Sequence, residues 1–348
     1  MTRSDLWPGG RGYLDTATYG LPPSATLEVA RRTLAEWTVG SADWRSWNDA
    51  ADEARREFAA LADVRLESVA IGPASSTLLG IVAASLPTEA EVLVPEGDFT
   101  ALLFPFLAQA ERGVTVRTAP IEALGDAVGP STTVVAWSAV QSADGRVVDN
   151  DAVLDAAAAV DALTIVDATQ AMGWLPLTLD RFDGVVCSAY KWLCCPRGTA
   201  FLIASARLLA MSVPHGASWF AAEDVHASYY GTPMRLPRTA RRLDLSAAWF
   251  AWVGAVASLR TLREVRIDTI HDHDVRLANE LRAALDREPS DSAIVAVAGD
   301  NLEQELAAQG IKAATRASGC RLSFHVYNDE EDVAAAAQAL RRHARLRA

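Results

Sequence analysis

Lysine is scarce in this chain: among 32 basic residues in 348, only Lys191 and Lys312 are lysine, and arginine supplies every other fixed positive charge. Lys191 follows the run Asp183-Gly-Val-Val-Cys-Ser-Ala-Tyr190 and precedes Trp192 and Leu193, so its amine is set in largely apolar surroundings. Desolvation disfavours the ammonium form, lowers the pKa and makes the amine a nucleophile towards carbonyls. The plainer alternative is a lysine that snorkels or pairs at an interface. Twenty-four residues earlier, Thr164-Ile-Val-Asp-Ala-Thr-Gln170 reads as an apolar strand ending in the carboxylate of Asp167. Ligands of open α/β sheets gather at the carboxyl ends of strands, where Asp167 lies, although an Asp there can also cap the next helix.

Positioning those groups takes a sheet, and the text between Val69 and Leu202 supplies one. Seven β-rich runs (Val69 to Ile71, Glu91 to Val94, Val114 to Arg117, Thr133 to Trp137, Leu163 to Val166, Gly184 to Val186, Ala200 to Ile203) alternate with helical stretches. That order predicts an α/β fold, a mostly parallel sheet with helices on both faces. Before it, Gly12 to Leu14 reads as a short strand, and Leu27 to Trp37 as a helix opening after Pro22, Pro23 and Ser24. A loop or second helix with three tryptophans follows. Around Gly231 to Arg242 the composition turns to Pro, Arg and Gly, a candidate boundary. Beyond it we expect helices over Leu245 to Glu264, Asp274 to Arg287 and Glu330 to Leu340, and strands over Ala293 to Ala298 and Cys320 to His325, a smaller α+β unit. The expected division is a large domain over 18–240 and a small one formed by 1–17 and 241–348.

Composition narrows the partners. Half the residues are apolar, 22% are charged, and the net charge of −12 repels phosphate backbones and anionic lipid, which argues against nucleic acid or membrane. No window offers ~20 uninterrupted apolar residues, and Met1 to Gly12 lacks the order of a secretion signal, so a cytoplasmic protein is expected. Cys187, Cys194, Cys195 and Cys320 form no disulfide framework or C-x-x-C zinc spacing, and the histidines do not cluster, so no metal is expected. A doubly wound ligand-binding module without covalent chemistry would usually carry G-x-G-x-x-G or a P-loop, and neither occurs.

Strand-Asp-x-x-Gln followed by Ser-x-x-Lys-Trp resembles the class V aminotransferase and cysteine desulfurase superfamily of fold-type I enzymes that use pyridoxal 5'-phosphate (PLP). The resemblance runs from Tyr13-Leu-Asp-Thr-Ala-Thr-Tyr-Gly20, similar to an opening strand and substrate loop that includes Tyr19, to Arg321-Leu-Ser-Phe-His-Val-Tyr-Asn328, similar to the carboxylate-binding strand. It implies PLP carried as a Schiff base on Lys191, with Asp167 keeping the ring nitrogen protonated and so strengthening the electron sink. Ala74-Ser-Ser-Thr77 resembles the phosphate-binding turn at a helix N-terminus, which assigns Ser75 and Ser76 to the phosphate. Ser188 and Tyr190 fall where the family places a Ser and usually a His, and the Tyr departs from that pattern. Gly97-Asp-Phe-Thr100 resembles the loop whose aromatic ring stacks on the cofactor, pointing to Phe99. The resemblance further assigns Gln170 to the phenolic oxygen, Gln141 or Ser142 to ring or substrate, and Arg321 to the substrate carboxylate. Arg241-Arg-Leu-Asp-Leu-Ser246 resembles a segment that reaches the neighbouring subunit's phosphate, so Ser246 would act in trans and the protein would be a homodimer.

The cysteines narrow the reaction. A cysteine desulfurase needs a mobile-loop cysteine ahead of its carboxylate-binding arginine, whereas Cys320 abuts Arg321 on an expected strand and the segment Gly310 to Gly319 has no other Cys. The reading is therefore transamination or carbon–sulfur lyase chemistry on a small amino acid, similar to the lyase of ergothioneine biosynthesis, with epimerisation as in isopenicillin N epimerase-like members the alternative. A degenerate member that only binds the cofactor conflicts with the presence of Lys191 and Asp167.

Overall fold

The computed structural model of the protein describes residues 3–316 and 319–346. Seven strands, β1 Val69–Gly72, β2 Glu91–Pro95, β3 Thr115–Ala119, β4 Thr132–Ser138, β5 Leu163–Asp167, β6 Gly184–Ser188 and β7 Ala200–Ala204, form one sheet in the order β1-β7-β6-β5-β4-β2-β3. Pairs β2/β3, β2/β4, β4/β5 and β5/β6 are parallel, and β7 runs antiparallel to both β6 and β1. Each of the seven apolar runs in the sequence is one of these strands, with ends displaced by one or two residues.

Alternation along the strands divides the core. Val166 and Phe201 point into a cluster with Trp137 and Phe58, while their neighbours Ile165 and Leu202 point into a second cluster with Leu78 and Phe106. Phe58, from the helix Trp44–Leu61, stacks on Phe201 with ring centroids 3.8 Å apart. The helices Ser75–Ser85 and Thr100–Leu107 fill the opposite side. Burial on both faces explains why these strands read as continuous apolar runs.

A second sheet joins β8 Ile294–Val297, β9 Ala314–Arg316 and β10 Gly319–Ser323 in the antiparallel order β8-β10-β9. The helices Ile267–Ala284 and Glu330–Leu346 close a third cluster around Leu277, Leu322 and Phe324, which also takes in Leu14. The strand expected at Gly12 to Leu14 is present only as isolated bridges, Tyr13 to Lys312 and Asp15 to Ser323. β9 and the helix Leu302–Ala308 were not foreseen, both being too short for a periodicity to show. The long helix expected from Leu245 starts at Trp249, because the Leu245 amide bonds the Ile71 carbonyl and extends the β1 edge instead. Among the described residues no helix is long and apolar enough to cross a membrane.

Candidate active site

The parallel strands β4, β5 and β6 end side by side: Ser138 lies opposite Asp167, and Asp167 opposite Val186. Beyond those ends opens a cavity of about 270 Å³ lined by Ser75, Ser76, Phe99, Asp167, Gln170, Ser188, Tyr190 and Lys191, with Ser138, Ser142, Thr169 and Arg197 among its other walls. Eight of the twelve site residues expected from sequence therefore share one cavity.

Asp167 closes β5, is buried, and accepts the Thr169 amide at 2.8 Å. Burial pushes its carboxyl up, and the Thr169 hydrogen bonds and the Lys191 charge pull it back. Lys191 sits in the turn after β6 with 5% of its surface exposed. Burial lowers its amine to about 8, with Asp167 opposing that shift. Its Nζ is 5.3 Å from the Phe99 ring centroid and 5.9 Å from that of Tyr190. A desolvated amine and a desolvated carboxylate facing one small space is an arrangement that chemistry uses and packing alone disfavours.

At the other end, the helix Ser75–Ser85 begins without a side-chain cap from Ala74. The Ser75 amide donates to Ser188 Oγ at 3.0 Å, and the two hydroxyls are 3.1 Å apart. Hydroxyls gathered at the positive end of an 11-residue helix suit an anion. Phe99 is held in place by its neighbour: Asp98 accepts the Phe99 amide at 2.6 Å, the Ser138 amide at 2.8 Å and hydroxyl at 2.5 Å, and Gln141 Nε2 at 3.1 Å. Gln141 is thus buried behind the wall, bonded to Asp98, and does not line the cavity.

Gln170 Nε2 donates to Ser142 Oγ and to the Ala17 carbonyl, each at 3.0 Å, while Trp192 Nε1 donates to Gln170 Oε1 at 2.8 Å. Arg321 lies behind Ser142, 1% exposed, and donates to the Ser142 carbonyl at 2.5 Å, Ser142 Oγ at 3.2 Å and Thr18 Oγ1 at 2.9 Å. Burial lowers its guanidinium to about 10. Its Nε and Asp15 Oδ1 are buried without hydrogen-bond partners, so the group has unused capacity. Tyr19 is 46% exposed beside Tyr13, whose hydroxyl donates to the Tyr19 carbonyl at 2.7 Å. Ser246 is exposed away from the cavity, with its Oγ 3.1 Å from Ser218 Oγ.

Sequence reasoning missed Asp98, Thr169 and Arg197. Asp98 had a signal, a carboxylate three residues past the end of β2, at the same carboxyl edge of the sheet that Asp167 closes. Thr169 follows Asp167 by two residues, the spacing of a side chain to backbone turn, and its Oγ1 accepts the Ser188 amide at 2.9 Å. Arg197 gave none.

The family model for Aminotransferase class-V matches residues 45–305. The chain belongs to the class V aminotransferase family. It is a PLP-dependent enzyme, and the buried amine, the buried carboxylate and the hydroxyl-rich helix N-terminus fit that cofactor's carbonyl, ring nitrogen and phosphate. An uncharacterized aminotransferase of Bacillus subtilis is 26% identical over 338 residues, 89% of each chain. An isopenicillin N epimerase of Streptomyces clavuligerus is 28% identical over 183 residues, 48% of this chain and 46% of that protein. In fold the protein is similar to the cystine C–S lyase C-DES (TM-score 0.86, 19% identity, 96% of this chain and 98% of that one). It is also similar in fold to the cysteine desulfurase CsdA of Escherichia coli (TM-score 0.84, 20% identity, 99% of this chain and 98% of that one).

Proposed function

We propose that this class V enzyme holds PLP on Lys191 and moves the α-proton of a small amino acid, leading to transamination or to elimination of a β-sulfur group. The observation that carries the reading is the single cavity in which Lys191, with its amine lowered to about 8 by burial, faces buried Asp167 and the Ser75 helix N-terminus. PLP, when bound, supplies an electron sink for the bond broken at the α-carbon. Asp167 would keep the pyridine nitrogen protonated, Ser75, Ser76 and Ser188 would bind the phosphate, Phe99 would cover the ring, and Gln170 would donate to the phenolic oxygen by releasing its Ser142 bond. Lys191 takes and returns the proton, because an amine near neutrality serves in both directions. Arg321 holds the substrate carboxylate by exchanging its neutral Ser142 and Thr18 partners for charge-assisted bonds. Gln141 contributes through Asp98, and Tyr19 flanks the approach.

Cysteine placement supports a lyase or transaminase over a desulfurase. All four thiols are buried; burial pushes Cys187 and Cys195 well up and Cys320 to about 12, leaving none of these three as a ready sulfur carrier. Ser246, exposed and away from its own cavity, supports the reading of a homodimer in which it serves the second site. Tyr190 beside Lys191, together with the likeness to isopenicillin N epimerases, favours epimerisation as the second reading.

The deciding experiment is the absorbance spectrum of the protein and of Lys191→Ala with PLP. A visible band present in the wild type and lost in the variant is expected, followed by an amino-acid screen reading keto acid, sulfide or inverted configuration. A wild type that stays colourless with PLP would overturn the proposal.

A further inference from the structure

We propose that Arg197 is the cation that neutralises the phosphate of the bound cofactor, an inference that rests on the reading above. The phosphate end of the cavity otherwise offers only neutral groups, the hydroxyls of Ser75, Ser76 and Ser188 and the phenol of Tyr190. Lys191 cannot serve there, since its amine is committed to the carbonyl end. A phosphate dianion in a partly desolvated cup needs a counter-charge, and a guanidinium matches its oxygens with paired N–H groups.

Arg197 is placed to provide one. Ser188 pairs with Ala200 across β6 and β7, and the Ala189 amide donates to the Thr199 carbonyl at 3.0 Å. The chain leaving β6 towards Tyr190 and the chain entering β7 from Arg197 therefore run side by side at the end of the sheet where Ser188 meets Ser75. The Arg197 guanidinium carbon lies 4.9 Å from the Tyr190 ring centroid, and both residues line the cavity. Sixteen arginines elsewhere pair with carboxylates, but no hydrogen bond or ion pair to a carboxylate engages Arg197 among the described residues. Stacking on Tyr190 orients the fork without consuming its N–H donors.

The test compares PLP with pyridoxal, which lacks the phosphate, on the full-length chain freed of cofactor. Dissociation constants come from the visible band, for the wild type, Arg197→Ala and Arg197→Lys. Arg197→Ala is expected to weaken PLP by on the order of ten- to a hundredfold and to leave pyridoxal unchanged, with Arg197→Lys recovering part of the loss. The side chain is exposed, so the variants should fold. Unchanged PLP affinity, or an equal loss for PLP and pyridoxal, would overturn the assignment. A wild type without any band would remove the cofactor reading itself, an outcome distinct from either.

Discussion

Nε2 of His325 lies 3.0 Å from the carbonyl oxygen of Trp192, the residue that follows Lys191. Nδ1 of the same ring is 2.9 Å from Asp274 Oδ2, so both nitrogens face acceptors and the ring is satisfied only as an imidazolium. Burial opposes that charge, but Cys194 and Asp274 outweigh it and lift His325 to about 10. A histidine raised above its unfolded value of about 6.5 stabilises the fold fully below that pH, and the contribution disappears as pH rises through about 10. Urea unfolding between pH 6 and 7.5, below the range in which Lys191 and the buried thiols change charge, should show stability falling as pH rises in the wild type. His325→Gln should lack the slope; an identical slope in the variant would place the titrating group elsewhere.

Gly20 fixes the Lys191 turn from the opposite side. Its amide donates to the Tyr190 carbonyl at 2.9 Å, and a Cβ added there would stand 2.0 Å from the Lys191 carbonyl oxygen and 3.0 Å from Cys194 Sγ. Backbone cannot swing aside as a side chain would, so Gly20→Ala must displace the turn that carries the amine. The expected cost is about 1–3 kcal/mol of stability by overpacking, together with weaker PLP binding. Matching urea midpoints and matching PLP titrations for variant and wild type would show that the turn yields freely.

How much of this was legible beforehand follows from the range of each interaction. Asp167, Ser188 and Lys191 sit on or just after strands whose apolar runs are buried on both faces, a local signal that marks the carboxyl ends where ligands bind. The start of the helix at Trp249 was misjudged because a distant bond, Leu245 to Ile71, decides it. Gln141 looked like a cavity residue from its place after β4, but the register turns its amide to Asp98, a partner 43 residues away in the chain. Arg321 was singled out only through resemblance, since nothing local separates it from the other arginines. Its burial behind Ser142 and Thr18 is created by the meeting of the N-terminal segment with β10.

The lowered pKa of Lys191 gives a kinetic signature. With the amine at about 8, the neutral fraction rises about tenfold between pH 7 and pH 9 and then saturates. The rate at which the visible band forms on adding PLP to the cofactor-free chain should climb with pH and level off above about 8. An ordinary lysine would keep climbing to about 10.4, so a rate still rising with unit slope at pH 9.5 would contradict the burial effect.

Arg55 and Asp244 tie the site's scaffold together from beneath. Arg55, on the helix Trp44–Leu61, donates to both Asp244 oxygens at 2.9 and 2.7 Å, and both side chains are almost fully buried. Arg55 also donates to the Val69 carbonyl at 3.0 Å, and Asp244 accepts the Ile71 amide at 2.9 Å, so the pair clamps β1 to the segment leading to Ser246. Removing one partner leaves a buried charge uncompensated, and Asp244→Ala or Arg55→Met should each cost about 3–5 kcal/mol. Replacing both, Arg55→Met with Asp244→Leu, leaves no lone charge and should cost clearly less than the sum of the singles, a coupling read from urea unfolding of the four proteins. The double variant should still fall short of wild type, because the Ile71 amide loses its acceptor in the core. Additive losses would mean that the two residues act separately and that the clamp on β1 is made by the backbone bond from Leu245 alone.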